Sequence, residues 1–213
     1  MTKLEDFEIK SRLGEGAYSN VYKVVRKSDG NVYALKKVRL QNLSDKEKQN
    51  ALSEVRILAS IRCPFVITYR ESFIDDDSNS LCIVMEYADG GDLFQKIVVH
   101  QKKKTLFDEA DVWLIFLSVV KGLRALHALN IMHRDLKSAN VFLFAHGEAK
   151  LGDLNVSKVV EKGLAYTQTG TPYYASPEVW RDEPYGPKSD IWSLGCVVYE
   201  MVSLKPPFRA EDM

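Results

Sequence analysis

Residues 131–143 combine several kinds of polar side chain between two apolar ends. Burying polar groups in such a place lowers the stability of the fold, so their presence suggests that the loop performs a task. Asp135 can accept the proton of a hydroxyl group, Lys137 can neutralise charge on a phosphoryl group in transfer, and Asn140 can offer an oxygen to Mg²⁺. These residue types therefore predict a loop suited to phosphoryl transfer.

A second acidic site and a glycine turn could serve the same chemistry. Asp153 lies between two leucines and supplies another hard carboxylate for Mg²⁺. Gly14 and Gly16 stand between two predicted strands, where their backbone N–H groups could approach phosphate oxygens, and Val21 could cover a planar base. Taken alone, this turn fits a purely structural glycine hairpin equally well.

Lys36 and Glu54 are placed so that they could act together. Period-two alternation puts Lys36 on an otherwise apolar strand face and Lys37 on the opposite face. Glu54 lies on the apolar stripe of the following helix, where a carboxylate needs a cation. Lys36 could therefore reach the phosphates while Glu54 fixes its direction. An ordinary ion pair between a sheet and its covering helix is the open alternative.

The first part of the chain reads as strands with one helix. Segments 22–27 and 32–38 flank an Asp-Gly pair and predict a hairpin. A capping box that begins at Ser44 predicts a helix ending before Pro64. The apolar run 81–85 predicts a buried strand.

The remainder reads as mainly helical, after a break at residues 89–92 that predicts the junction between two lobes. Asp108 caps a long predicted helix. Its apolar stripe, at spacings of three and four, consists of Val112, Phe116, Val119, Leu123 and Leu126.

Composition excludes several classes of function. The 213 residues include 29 Lys plus Arg and 29 Asp plus Glu, so the formal net charge is zero. Without a net charge there is no bulk attraction to nucleic acid or to an anionic membrane. The longest apolar stretch is far shorter than the roughly 20 residues that span a bilayer, and three scattered cysteines do not suggest disulfides. We expect no nucleic-acid partner, no membrane span and a reducing, cytoplasmic location.

In their order along the chain, these motifs resemble the eukaryotic protein kinase family over nearly the whole length. The matching residues are His133-Arg134-Asp135 with Asn140, Ala34 before Lys36, Glu54, and Ser176-Pro177-Glu178. Lys137 and segment 170–174 resemble the serine/threonine branch. Segments 33–38, 85–93 and 206–208 are most similar to the NIMA-related kinases.

The resemblance implies an α+β, bilobal fold. Residues 1–88 would form a small β-rich N-lobe with one key helix, and residues 89–213 a mainly helical C-lobe that is incomplete at its C-terminal end. It also implies a kinase that transfers the γ-phosphate of ATP, with Mg²⁺, to serine or threonine hydroxyls of protein substrates. Regulatory partners could act through the C-terminal region that the chain lacks, and a cytoskeletal, centrosomal or ciliary location would be family analogy.

A role for each matching residue follows from the resemblance. Asp135 would be the catalytic base, Lys137 would lie beside the γ-phosphate, and Asn140 and Asp153 would bind Mg²⁺. The residues implied to bind or orient the nucleotide are Leu13, Gly14, Glu15, Gly16, Ala17, Tyr18, Ser19, Asn20, Val21, Ala34, Lys36, Glu54, Met85, Glu86, Ala88 and Phe142.

The resemblance also implies an activation loop between Asp153 and Glu178. Thr167 occupies the position commonly phosphorylated in the family, and Thr169 is a second candidate. A phosphate there could pair with Arg134 and Lys158 and so order the loop. The alternative is that both threonines are ordinary solvated loop residues.

Three departures from the family pattern affect these expectations. Asn155 replaces a glycine, although Asn tolerates left-handed backbone angles, Leu154 replaces a phenylalanine, and Ser19 replaces the third glycine of the phosphate loop. Helices that normally follow are absent, so we expect an exposed apolar face and a Glu178 carboxylate without a partner. The alternative functions are a pseudokinase or nucleotide-binding scaffold with little turnover, and phosphotransfer to a small molecule.

Overall fold

The computed structural model of the protein describes residues 2–16, 19–41, 44–154, 173–181 and 183–209. The chain divides into two compact units. One consists of Met1–Arg62 and Ile67–Ala88, and the other of Cys63–Val66 and Asp89–Met213. The first unit is rich in strands and the second is mainly helical, which confirms the predicted α+β class.

The first unit is a five-stranded antiparallel sheet with one helix, in the strand order β1-β2-β3-β5-β4. A short 3₁₀ helix at Leu4–Asp6 precedes it. The elements are β1 (Phe7–Glu15), β2 (Ser19–Arg26), β3 (Val32–Arg39), α1 (Asp45–Ser60), β4 (Tyr69–Asp75) and β5 (Ser80–Glu86). The predicted hairpin, helix and buried strand are all confirmed.

The turn between β2 and β3 shows why an Asp-Gly pair forms a hairpin here. Gly30 has a φ of +69°, a left-handed conformation that favours glycine. The Asn31 amide donates to Asp29 Oδ1 at 2.8 Å, and this hydrogen bond lowers the pKa of Asp29. The side chain thus supports the turn that sets the register of β3.

The two faces of the sheet bury different side chains because neighbouring residues of a strand point to opposite faces. One face buries Phe7, Val24, Leu35, Cys82 and Val84. The other buries Leu81 and Ile83 of β5 together with Leu40 and Val55, and Ala51 packs against that cluster. Because Ala51 and Val55 belong to α1, this second face is the one that the helix covers.

Within the part of the chain that is described, the second unit contains four α-helices, one 3₁₀ helix and a two-stranded sheet. The elements are α2 (Leu93–Lys103), α3 (Glu109–Ala128), a 3₁₀ helix (Ser138–Asn140), β6 (Val141–Leu143), β7 (Ala149–Leu151), α4 (Pro177–Trp180) and α5 (Pro187–Ser203). Helix α2 and the β6–β7 pair were not predicted. Asp92 caps α2 by accepting a hydrogen bond from the Gln95 amide at 2.8 Å.

Helix α3 begins after Asp108, as predicted, but its buried stripe differs from the prediction at the N-terminal end. The buried residues are Ile115, Ser118, Val119, Gly122, Leu123 and Leu126. Val112 and Phe116 are only partly buried, so the buried stripe begins at Ile115. Among the described residues, no helix is both long enough and apolar enough to cross a membrane.

Gly122→Ala is expected to lower the free energy of unfolding by about 1 to 3 kcal/mol through overpacking. A Cβ at this position would lie 2.8 Å from the Phe65 carbonyl oxygen and 2.9 Å from Leu151 Cδ1. Gly195→Ala in α5 is the matched control, because its Cβ would meet nothing within 4 Å. Alanine there should stabilise the helix by about 0.5 to 1 kcal/mol. Urea unfolding of both variants tests this, and equal changes would contradict the close packing at Gly122.

Candidate active site

The glycine turn of the first unit joins β1 to β2, as the sequence predicts. Gly14 pairs with Val21 in the strand register, and Glu15 pairs with Asn20. The Gly16 amide donates to the Ser19 carbonyl oxygen at 2.7 Å, so this N–H closes the turn. A Cβ on Gly14 would meet nothing within 4 Å. Ala17 and Tyr18 lie outside the described residues.

Lys36 lies on the sheet face that α1 covers. In the strand register it stands between Val21 of β2 and Ile83 of β5, and Ile83 belongs to the cluster that includes Val55 of α1. The helix backbone carries Glu54 between Ala51 and Val55 of that cluster, but the Glu54 side chain is outside what the structure describes. The ion pair between Lys36 and Glu54 therefore stays a prediction.

Lys37 has the opposite orientation, as the alternation of the strand requires. Its ammonium group forms an ion pair with Asp75 at 2.9 Å. The hydrogen bonds from Ser78 and Lys37 lower the pKa of Asp75. Lys37 is thus held by Asp75 of β4. It has the same charged side chain as Lys36 but lies on the opposite face of the sheet.

The residues implied to hold adenine lie at the end of β5. Met85 pairs with Ala34 in the register of β3 and β5. The Glu86 amide donates to the Thr68 carbonyl oxygen at 3.0 Å, and Glu86 Oε1 accepts from the Thr68 amide at 2.6 Å. This double contact fixes the backbone of Glu86, and Ala88, which is buried, lies two residues further along the chain.

The predicted catalytic loop of the second unit, residues 133–140, brings together three of the predicted residues. Asp135 Oδ2 accepts a hydrogen bond from Lys137 Nζ at 3.0 Å. Asn140 Nδ2 donates to the Asp135 carbonyl oxygen at 2.7 Å and approaches Oδ2 at 3.3 Å. The side chains of Asp135 and Lys137 are 32% and 38% exposed, so a hydroxyl group from solvent can approach the carboxylate.

Asp153 lies next to this loop, because the residue before it is hydrogen-bonded to the loop backbone. The Gly152 amide donates to the Asn140 carbonyl oxygen at 3.0 Å, which places Asp153 one residue from a direct contact with Asn140. Asp153 is exposed and has a φ of +51°. Asn155 lies outside the described residues, so the expectation that it tolerates left-handed backbone angles stays a prediction.

The donor chemistry of Asn140 and Asp153 fits Mg²⁺. Asn140 uses its amide nitrogen as a donor to Asp135, so its amide oxygen is the atom suited to a cation. Within the described ranges, no group of three or more His, Cys, Asp or Glu side chains could hold a metal alone. Mg²⁺ is usually bound by one or two carboxylates together with substrate phosphates and waters, so a sparse oxygen set is appropriate.

Phe142, implied to lie beneath the base, is in the centre of β6. It pairs with Lys150 of β7 on one side and forms an isolated antiparallel bridge with Asp92 on the other. The Leu143 amide donates to the Gly91 carbonyl oxygen at 2.8 Å. The short strand is therefore fixed between β7 and the segment that precedes α2.

Asp190 is a residue that sequence analysis did not single out, although it contacts the backbone beside Asp135. It lies in α5 and is completely buried. One oxygen accepts from the His133 amide at 2.9 Å and lies 2.7 Å from His127 Nε2, and the other accepts from the Arg134 amide at 3.1 Å and from the Tyr185 hydroxyl. One carboxylate thus holds the backbone immediately before Asp135, where Arg134 has a φ of +64°.

A signal for Asp190 was present in the sequence. Asp190 is followed by several apolar residues, and an acid that such a segment buries needs hydrogen-bond donors. The backbone amides of a sharp loop are suitable donors. The sequence does not say which loop supplies them, because His133 and Asp190 are 57 positions apart.

His133 is completely buried beside this anchor. Burial lowers the pKa of its imidazole, although Asp190, Asp135 and Asp153 oppose that shift. Folding therefore favours the neutral ring.

Acidification is expected to destabilise the wild-type protein more than a His133→Phe variant. The unfolded histidine, with a pKa near 6.5, binds a proton that the folded state rejects, so this stability is present above the unfolded pKa and lost below it. The loss is up to about 1.4 kcal/mol for each pH unit until the lowered folded pKa is reached. Urea unfolding at about pH 7.5 and pH 5.5 measures it, with the exposed His146→Gln as control. The same loss in His133→Phe would contradict this origin.

Two expectations concern the segment after Asp153. Thr167, Thr169 and Lys158 lie outside the described residues, so their roles stay predictions. Ser189 Oγ donates to Glu178 Oε1 at 2.6 Å, and this hydrogen bond lowers the pKa of Glu178. The expectation of a Glu178 carboxylate without a partner is therefore wrong.

The expected exposed apolar face is present in the second unit. Helix α5 exposes large hydrophobic side chains, and Phe208 stacks on one of them, Trp192. The exposed residues of the helix are Ile191, Trp192, Tyr199 and Val202.

Comparison with known proteins agrees with this arrangement of residues. The chain matches the protein kinase domain over residues 7–213, and it therefore belongs to the protein kinase domain family. Its sequence is 40% identical to serine/threonine-protein kinase Nek1 of Mus musculus over 212 residues, 99% of this chain and 17% of that protein. It is 39% identical to probable serine/threonine-protein kinase nek2 of Dictyostelium discoideum over 213 residues, 98% of this chain and 51% of that protein.

Serine/threonine-protein kinase Nek2 of Homo sapiens is a third relative, 38% identical over 216 residues, 98% of this chain and 48% of that protein. These similarities confirm the predicted resemblance to the NIMA-related kinases of the serine/threonine branch. The chain spans about half the length, or less, of these relatives.

Proposed function

We propose that the protein is a serine/threonine protein kinase that uses ATP and Mg²⁺, with residues 1–88 as N-lobe and 89–213 as C-lobe of one kinase domain. The observation that carries this proposal is the loop in which Lys137 and Asn140 both donate to Asp135. Each of these side chains has a separate use in phosphoryl transfer: a base, a cation and a metal ligand.

In the proposed reaction the protein forms no covalent bond to the phosphoryl group. The substrate hydroxyl oxygen forms a bond to the γ-phosphorus of ATP, the bond to the departing ADP oxygen breaks, and Asp135 receives the hydroxyl proton. Lys137 balances negative charge on the phosphoryl group during transfer. Mg²⁺, when bound, neutralises phosphate charge, and Asn140 and Asp153 are the residues that would hold it.

Residues of the first unit are proposed to bind the nucleotide. Lys36, oriented by Glu54, would contact the phosphates together with the β1–β2 turn, residues 13–21. The backbone of Glu86 and Ala88 would bind adenine, with Ala34 and Met85 beside it. Phe142 is the further residue that the kinase resemblance assigns to the base. The pairing of Ala34 with Met85 supports this, because it puts two apolar side chains side by side.

Regulation and location are also proposals. Phosphorylation of Thr167 or Thr169 would add nearly two negative charges for Arg134 to pair. Substrates would be proteins that present serine or threonine, regulatory partners would contact regions outside this chain, and the protein would act in the cytoplasm.

Lys36→Ala is expected to reduce transfer of the γ-phosphate by at least about tenfold, the size of effect typical for loss of a charged contact to a reacting group. Lys37→Ala is the matched control, because it removes the same charge from the opposite face and should leave the rate within about twofold. The measurement is incorporation of label from γ-labelled ATP into a protein substrate by the intact protein. Equal rates for the two variants would contradict the proposed role of Lys36, and no transfer by the wild type would indicate a scaffold.

A further inference from the structure

A chain of hydrogen bonds links the catalytic loop to the interior of α5 within the second unit. Ser138 Oγ lies 3.0 Å from the Tyr174 hydroxyl. The same hydroxyl donates to Glu200 Oε2 at 2.7 Å. Ser138 is completely buried and Glu200 is 4% exposed. Both polar groups are therefore shielded from water and depend on hydrogen bonds within the protein.

The direction of these hydrogen bonds follows from the number of protons that each group can donate. A phenol has one O–H, and Tyr174 gives it to the Glu200 carboxylate. Ser138 must therefore be the donor in its contact with the Tyr174 oxygen. Burial and the bond to Glu200 raise the pKa of Tyr174, which keeps the phenol protonated at neutral pH. The order of donation is Ser138, then Tyr174, then Glu200.

Each end of this chain is fixed to a different part of the unit. Ser138 begins the 3₁₀ turn between Lys137 and Asn140, and the Asn140 amide donates to the Lys137 carbonyl oxygen at 3.0 Å. Glu200, at the other end, belongs to α5. Ser193 Oγ of the same helix donates to the Tyr174 carbonyl oxygen at 2.8 Å. Tyr174 is thus held by the side chains of two residues of α5. Its hydroxyl in turn fixes the position of Ser138 in the turn.

We propose that Ser138 is a positioning residue for phosphoryl transfer, acting through Tyr174 and Glu200 to hold the turn that carries Lys137 and Asn140. This inference rests on the proposed kinase function. Its physical basis is that buried, mutually polarised hydrogen bonds define one geometry more sharply than apolar contacts of the same size. Small displacements of groups that act on a transferring phosphoryl group are costly in rate.

The role differs from that of Asp190, which holds the backbone before Asp135. The chain of hydrogen bonds from Glu200 acts on the backbone after Asp135, which carries Lys137 and Asn140. A buried carboxylate, a buried hydroxyl and a phenol would add less stability than apolar residues of similar volume. Their arrangement is therefore explained by positioning of the turn.

The test is a double-mutant cycle of Ser138→Ala and Tyr174→Phe, measured as single-turnover transfer of γ-labelled phosphate by the intact protein. Ser138→Ala is expected to lower the transfer rate by about tenfold, within the range of coupled pairs, while the KM for ATP changes less than about twofold. In the Tyr174→Phe background, Ser138→Ala should have little further effect, because its partner is already lost.

Ser118→Ala is the matched control. Ser118 is a buried serine of α3 whose hydroxyl donates to the Leu114 carbonyl oxygen at 2.8 Å, away from the catalytic loop. It should leave the transfer rate unchanged, and thermal unfolding of both variants measures how much stability each one loses. This comparison separates a loss of stability from a loss of positioning.

The possible failures are distinguishable. An active wild type with an unchanged rate in Ser138→Ala, or additive effects in the double mutant, would overturn the role of Ser138 and leave the kinase function standing. Equal loss of rate in Ser118→Ala would also overturn it, because a general loss of stability would then account for both. An intact wild type that transfers no phosphate would overturn the proposed function, and the role of Ser138 with it.

Discussion

Asp135→Asn is expected to lower the rate of phosphoryl transfer by about 10²- to 10⁴-fold, the range for loss of a general base. Asparagine has nearly the same shape, so it can still accept hydrogen bonds from Lys137 Nζ and Asn140 Nδ2. It cannot take a proton from the substrate hydroxyl. The variant should therefore keep the KM for ATP and lose almost only the chemical step.

A matched control is available in the same unit. Asp111→Asn in α3 removes an acid whose exposed ion pair with Lys96 spans 3.3 Å. Exposed ion pairs contribute about 0 to 1 kcal/mol, so this variant should match the wild type in both rate and stability. Single-turnover kinetics and thermal unfolding of both variants provide the comparison. If Asp135→Asn kept more than about a tenth of the wild-type rate, Asp135 would not be the base.

Asp190→Ala is expected to cost about 3 to 5 kcal/mol of unfolding free energy, the range for breaking a buried charged network on one side. The substitution would leave the amides of His133 and Arg134 and the Tyr185 hydroxyl without their acceptor. Desolvation by burial is the largest cause that raises the pKa of Tyr185, so the phenol should stay protonated in the variant and its O–H would still need an acceptor. The catalytic loop should lose its fixed backbone, and activity should fall with stability.

Urea unfolding and phosphoryl transfer measured on the same preparations test this expectation. Asp190→Asn separates shape from charge, because it keeps one oxygen acceptor and turns an amide group towards donors; it should fall between wild type and Asp190→Ala. Glu109→Ala serves as the exposed control, since Glu109 contacts Trp113 at the surface of α3. An Asp190→Ala protein as stable as this control would contradict the anchoring role.

Features set by local rules could be predicted from the sequence. The Asp29-Gly30 turn needs only a left-handed glycine and a short acceptor side chain, and the sequence contains both. The orientation of Lys36 and Lys37 follows from the two-residue period of a strand. The catalytic loop contains its own contacts, because Asp135, Lys137 and Asn140 are only five positions apart at most.

Features that depend on distant packing could not be predicted in this way. Asp190 is 57 positions from the amide that it accepts from, and Ser138 is 36 positions from Tyr174. No periodicity connects such residues. Helix α2 was missed for a different reason: its five apolar residues do not form one narrow stripe, because only Leu93 and Ile97 are buried, whereas Phe94 and Val99 are exposed.

Transfer of labelled phosphate from γ-labelled ATP to peptides, followed by identification of the labelled amino acid, tests the central claim most directly. With the intact protein, the account predicts phosphoserine and phosphothreonine that form with Mg²⁺ and disappear when a chelator removes it. Label on tyrosine alone, or no label from a protein that is folded and binds ATP, would contradict the account.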